Sequence, residues 1–350
     1  MVAPNAFRQR LLPAPVDGGF TMPGYFVWCG SPIRGEDGQY HLFASRWPTG
    51  MTFHPHWLTN AEIVRAVSTR PEGPYAFAEV ILPPRGEGEW DGRSTFNPTV
   101  HKVGSTYLLY YTGTTYGGPT PTPDWPTAPG TEQVLEARAN QRIGVATADT
   151  ILGPWTRRDT PILEPRPGHW DGLMVTNAAP CVLADGGILM IYKAVATQDD
   201  LLRLGVAKAD RHDQAFERLV EGPILQFDDT GDHVEDPYVW ITAEGTFEMV
   251  MKDMNGGISG QPRAGIHAQS DDGISWHVTE PALAYSRDVL WDDGTRTEQE
   301  FLDRPQLLFE DGHPTHLFLA TGVGDGSMTR LRRTWNMVIP LAPAGDEERG

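Results

Sequence analysis

Five strand starts marked by proline recur along this 350-residue chain: Gly30-Ser31-Pro32, Phe96-Asn97-Pro98, Ala178-Ala179-Pro180, Glu235-Asp236-Pro237 and Asp303-Arg304-Pro305. Each is followed by a second apolar run, at residues 41–44, 107–111, 188–192, 247–251 and 316–320. Successive prolines lie 66, 82, 57 and 68 residues apart, so the connecting loops vary while the unit persists. Such a repeat constrains the fold before any local motif does. One unit cannot bury its own apolar faces and must stack on the next.

Each unit continues. A third run follows at 62–68, 142–147, 203–209, 264–269 and 334–340, with the two-residue alternation of a half-buried strand, as in Arg142-Ile143-Gly144-Val145-Ala146. A Gly- or Pro-containing turn and a fourth short run close most units, for example Gly153-Pro154-Trp155 leading to Pro161-Ile162-Leu163. The expected fold is all-β: a five-bladed β-propeller with four antiparallel strands per blade, forming a single domain over residues 1–341. The fifth unit has no fourth run after Leu341, and residues 7–13 have no partner. The arm 1–16 is therefore expected to close blade five, or to exchange between the subunits of a homodimer. Residues 342–350 read as a solvated tail, and residues 116–131 as a long loop inside blade two, of the length that is usually functional.

With 28 basic and 46 acidic residues, the net charge of −18 argues against nucleic acid or an anionic membrane as partner and leans towards a neutral substrate. No apolar stretch approaches the roughly 20 residues that span a bilayer. The first 15 residues carry no signal-type apolar core, so a cytoplasmic location is expected, with a mature secreted form as the alternative. Two cysteines, Cys29 and Cys181, cannot make a disulfide framework and read as buried thiols. No P-loop, Rossmann fingerprint or nucleophile elbow is present, and His267 and His316 lack a zinc spacing. No cofactor or metal is expected in the site; a structural cation in the central channel stays open.

In a propeller the innermost strands converge at one mouth of the axis, and a pocket with a few convergent polar groups is the default site. The residues at the strand starts are Asn97, Asn177, Glu235, Asp236, Asp303 and Arg304, with Ser31 in blade one. The ends of the second strands add Arg46, Trp47, Lys193 and Lys252. Only four lysines occur, so two at one repeat position stand out. Planar polar groups beside indole rings suit an oligosaccharide, and glycoside cleavage normally needs two carboxyls of different proton affinity. Glu235, Asp236 and Asp303 are the acids at the strand starts. Asp91 and Asp171, each following a Trp, read either as inter-blade corners or as groups over the pocket. His233, two residues before Glu235, reads as a proton donor or as structural, and the loop His54-Pro55-His56-Trp57 as a subsite wall or as packing.

The expected function is exo-acting glycoside hydrolysis, with Glu235 as general acid, Asp303 or Asp171 as base for water, and Asp236 as pKa tuner or sugar-hydroxyl ligand. Two alternatives stand beside it: a carbohydrate-binding propeller without hydrolysis, and a sugar phosphorylase or lyase on the same scaffold. The remaining strand-start and second-strand residues would bind the sugar.

Three segments carry a family likeness: Asn97-Pro98-Thr99-Val100 with the run 107–113, the run 143–149 leading to Gly153-Pro154-Trp155, and Val234-Glu235-Asp236-Pro237-Tyr238. Over about residues 20–341 the chain resembles the five-bladed propeller glycoside hydrolases of families 43 and 117. The resemblance implies the fold and a sugar-cleaving site. The family 43 pattern implies a base Asp in blade one, a tuning Asp in blade two and an acid Glu in blade three; here Ser31, Asn97 and Asn177-Ala178-Ala179 stand there. Family 117 implies a histidine acid near a blade-four glutamate, for which His233 and Glu235 are the analogous pair.

Overall fold

The computed structural model describes residues 5–227 and 229–343. They form six antiparallel sheets, five of them arranged as the blades of a propeller and the sixth a two-stranded hairpin, Asp288–Leu290 with Arg296–Glu298. Blade one comprises Tyr25–Arg34, Tyr40–Pro48, Glu62–Ser68 and Ala76–Leu82. Blade two comprises Ser94–Val103, Thr106–Thr114, Arg142–Ala148 and Thr156–Arg157. Blade three comprises Met174–Val182, Ile188–Val195, Arg203–Ala209 and Glu217–Arg218. Blade four comprises Val234–Ile241, Phe247–Asp253, Gly265–Ser270 and His277–Tyr285. Blade five has three strands, Asp303–Glu310, His313–Val323 and Arg333–Pro340.

The inner strands are buried nearly throughout, because each is flanked by neighbouring blades on both faces, and they read as continuous apolar runs. The outermost strands face solvent; those of blades two and three have only two residues each. The core is accordingly a set of layers between blades. Leu108 and Tyr110 of blade two pack with Ile188 and Met190 of blade three, and Leu189 and Ile191 of blade three with Val239 and Met249 of blade four.

The ring closes where the chain ends meet. Asn5 caps the short helix Ala6–Gln9, and its side-chain amide donates to Thr279 Oγ1 at 2.7 Å. Phe7 fills the layer between blades four and five, 5.9 Å from Trp240. Residues 10–20 then run along the free edge of blade five: Leu12 N donates to Pro340 O, and Phe20 and Asn336 exchange two backbone hydrogen bonds at 2.9 Å. Of the tail read from sequence, residues 344–350 lie outside the described residues.

Every inner strand carries one bulge at the same place. The pairing register breaks after Trp28, Phe96, Thr176, Glu235 and Asp303. The next residue in each case, Cys29, Asn97, Asn177, Asp236 or Arg304, has a positive φ between 53° and 59°. Asn and Asp tolerate that region; for Cys and Arg it is rare. A bulge re-aims a side chain out of the alternation of the strand. Five bulges at one level turn five side chains toward the axis.

Candidate active site

The five re-aimed side chains form a chain of polar contacts around the axis. Cys29 donates its thiol proton to Asn97 Oδ1 at 3.0 Å. Asn97 Nδ2 donates to Asn177 Oδ1 at 2.5 Å, and Asn177 Nδ2 to Asp236 Oδ1 at 2.6 Å. Arg304 follows, with its backbone N–H donating to Asp236 Oδ2 at 3.2 Å and its Nη1 3.5 Å from Asp236 Oδ1. Burial pushes the Cys29 thiol up to about 12, so it remains a neutral donor.

Above this ring stand the residues just before each bulge: Trp28, Phe96, Thr176, Glu235 and Asp303. Their cross-strand partners are Ser45, Thr112, Lys193, Lys252 and Ala320, so the two lysines occupy one register position in adjacent blades. Both reach Glu235: Lys193 Nζ lies 2.8 Å from Oε2 and Lys252 Nζ 2.5 Å from Oε1. Lys252, only 1% exposed, also contacts Asp303 Oδ2 at 3.0 Å and Asp236 Oδ2 at 3.2 Å. One ammonium thus joins three carboxyl groups from two blades.

This arrangement separates the carboxyls. Burial alone would raise Glu235, but the charges of Lys193 and Lys252 outweigh it and hold Glu235 well below the usual glutamate range. For Asp303 burial prevails: despite Lys252, it is raised above the usual aspartate range, with the charge of Asp236 adding to the effect. Asp303 Oδ1 has no hydrogen-bond partner among the described residues. Lys252, which burial would discharge, is held protonated by Asp236, Asp303 and Glu235.

The pocket over this floor encloses about 530 Å³ counting its open mouth. Its two sides differ. Blades three to five supply Asn177, Lys193, Glu235, Asp236, Lys252, Asp303 and Arg304; blades one and two and their loops supply Trp28, Trp47, Phe53, Trp57 and Phe96. Phe53 and Trp57 come from the helical segment Phe53–Thr59, so the loop read as a subsite wall does line the pocket. The blade-two loop braces that segment: Thr127 N donates to His56 Nε2 at 3.2 Å, and Tyr116 OH to Thr59 O at 2.7 Å.

Of the residues singled out in the sequence, Asn97, Asn177, Lys193, Glu235, Asp236, Lys252, Asp303, Arg304 and Trp47 meet at this pocket. Four others do not line it. Arg46 precedes Trp47 on one strand, so alternation sends it to the opposite face, where it bonds Glu62 Oε1 at 2.7 Å and stacks on Tyr25. Asp171 is fully buried between Arg166, Arg218 and Tyr192 OH at 3.0, 2.5 and 3.1 Å. Asp91 repeats this one blade earlier, with Arg85, Arg157 and Tyr111 OH at 2.5, 3.1 and 2.7 Å. These are the corners between blades, and Trp90 and Trp170 stack there on Tyr111 and Tyr192. His233 sits ahead of the first residue of its strand, so the alternation that relates it to Glu235 does not apply; its ring faces Asn255.

Sequence reasoning missed Trp28, Cys29 and Phe96. In blades two, four and five the bulge residue directly precedes the proline, but in blades one and three it stands three residues before. Counting from proline put Ser31 in the site; Cys29 takes that place, and Ser31 lies one layer below, bonded to Gln306 Oε1 at 3.2 Å and accepting from Val100 N at 3.0 Å. Among the described residues no group of three or more His, Cys, Asp or Glu has a metal-holding arrangement.

No family model and no curated protein sequence matches this chain. Solved structures do. A family 117 glycoside hydrolase from the marine bacterium Zobellia galactanivorans superposes with a TM-score of 0.66 over 95% of this chain and 89% of that one, at 15% identity. A family 43 enzyme from Xanthomonas citri, complexed with xylotriose, gives 0.58 over 97% and 93%, at 16% identity. An endo-arabinase from Bacteroides thetaiotaomicron gives 0.57 over 93% and 98%, at 11% identity. At these identities the likeness is one of fold.

Proposed function

We propose that the chain is a glycoside hydrolase acting in the axial pocket, with an oligosaccharide as substrate. The observation that carries this is the split pair Glu235 and Asp303, two carboxyls on adjacent blades whose proton affinities are driven apart at one pocket. Such a split divides acid from base in carboxylate-driven hydrolysis. The aromatic wall opposite suits the apolar face of a sugar ring, and the fold is shared with hydrolases of families 43 and 117.

The roles follow from the charges and reverse those read from sequence. Asp303, whose proton affinity is raised by burial and whose Oδ1 is free, is the general acid for the leaving oxygen. Glu235 is the anionic partner at the anomeric carbon. Their near oxygens lie 3.0 and 2.5 Å from the same Lys252 Nζ, closer to each other than the roughly 6.5–9.5 Å carboxyl separation of inverting enzymes. Retention is therefore the expected outcome, followed by NMR of the anomeric proton in the first product. A pocket closed at its floor by the axial ring suits release of terminal sugars.

The test is a screen of aryl glycosides and oligosaccharides, with Glu235→Gln and Asp303→Asn each losing about 10²–10⁴-fold in kcat/KM at an unchanged fold. One observation favours a second reading, sugar binding without cleavage: both Glu235 oxygens are occupied by lysine ammonium groups. Saturable sugar binding with no product across the screen would decide for it.

A further inference from the structure

Arg304 is 3% exposed, lines the pocket, and has no hydrogen-bond partner among the described residues for Nε, Nη1 or Nη2. A guanidinium presents five N–H donors in a rigid fork, and burying them unmade is unfavourable. The neighbours in the ring do not take them up. Asp236 Oδ1 already accepts from Asn177 Nδ2 at 2.6 Å, and Arg304 Nη1 reaches it only at 3.5 Å. Asp236 Oδ2 is shared by the Arg304 backbone N–H and Lys252 Nζ, both at 3.2 Å. On the other side stands Cys29, a neutral thiol whose proton goes to Asn97. Asp303, the adjacent residue, is bound to Lys252.

We infer that Arg304 is an anion subsite, and that the sugar held in this pocket carries a carboxylate, as a hexuronic acid does. This rests on the glycosidase reading and narrows its substrate class. A planar carboxylate matches the guanidinium fork with two parallel N–H···O bonds, a match that a lysine ammonium does not make. Lys193 and Lys252 share the pocket lining with Arg304, but both are already bound to Glu235, which leaves Arg304 as the cation with open donors there.

Isothermal titration calorimetry at low salt with glucuronate and galacturonate, against glucose, galactose and a sulfated hexose, tests this. The expected result is at least tenfold tighter binding of one uronate than of its neutral counterpart. Arg304→Met should remove that advantage; Arg304→Lys should restore only part of it. Equal affinity for uronate and neutral sugar in the wild-type protein, or preference for the sulfated sugar, would overturn the carboxylate assignment while leaving the glycosidase reading intact. Cleavage of neutral glycosides with no affinity for either uronate would do the same. If neither neutral nor acidic sugars bind, the glycosidase reading itself falls, and the subsite with it. The wild-type comparison stands even if Arg304→Met does not fold.

Discussion

Lys252 Nζ lies 2.5 Å from Glu235 Oε1 and 3.0 Å from Asp303 Oδ2, so one buried ammonium spans the seam between blades four and five. Lys252 is 1% exposed, and a charge buried so deeply persists only when paired. The pairing is mutual: without the cation, Glu235, Asp236 and Asp303 would face one another with no shared counter-charge.

Lys252→Met is therefore expected to destabilise the protein by about 3–5 kcal/mol, the range for breaking a buried ion pair by removing one partner. Urea unfolding at pH 7 reads this directly. The loss should shrink as the pH is lowered, because protonated carboxyls no longer repel. A variant as stable as wild type at pH 7 would mean that water or an ion replaces the ammonium.

The opposite shifts of Glu235 and Asp303 set the sign of the pH dependence. The Glu235 carboxyl is held low when folded, so its contribution to stability is present above its unfolded value and is lost as pH falls through the folded one. Asp303 is raised when folded, so its contribution declines as pH rises from its unfolded value through the folded one. In kcat/KM, activity should persist on the acid side below the ordinary glutamate pKa of about 4.3. It should fall as pH rises through the Asp303 value, which burial places above the usual aspartate range. Lys193→Met removes one of the two cations at Glu235 and should move the acid limb upward while leaving the alkaline limb in place. An alkaline optimum would reverse the assigned roles.

The repeat was legible because blade stacking demands it. Inner strands buried on both faces are written as apolar runs, and five of them can be counted directly. The level of the site was legible too, since Asn97, Asp236 and Arg304 directly precede a proline. What lay beyond reach was register. The bulge in blade one precedes Pro32 by three residues, so Cys29 and Trp28 could not be aligned with Asp236 and Glu235 without coordinates. Alternation within the pair Arg46-Trp47 shows which one faces the pocket only once the face is known. Protonation roles were hidden for a different reason: they depend on Lys193 and Lys252 converging from two blades, a contact over 42 residues in one case.

The Trp-Asp corners carry a prediction of the opposite kind. Asp171 is fully buried with two arginines and Tyr192 OH as partners, remote from the pocket lining. Asp171→Ala should destabilise by about 3–5 kcal/mol, because it strands two guanidinium groups at a blade junction. Sugar affinity measured well below the melting temperature should stay within a factor of about two. Gly205→Ala should also destabilise, since its new Cβ would meet the Tyr192 ring at 2.5 Å and Trp170 at 2.8 Å. A folded Asp171→Ala protein without sugar affinity would return this residue to the site.

Closure of the propeller rests on the arm at the chain start. Phe7 is 3% exposed in the layer between blades four and five, and Arg10 donates to Ala342 O at 2.8 Å and Pro314 O at 2.7 Å. The arm thus covers a strand edge that blade five leaves unpaired, and free edges invite pairing with other chains. Phe7→Ala is expected to lower stability by about 3–5 kcal/mol through the cavity it leaves. Deleting residues 1–16 should lower it further and, by baring the edge Arg333–Pro340, promote self-association in sedimentation velocity. An arm-deleted protein that melts with wild type and stays at the same sedimentation coefficient would show that blade five is complete with three strands.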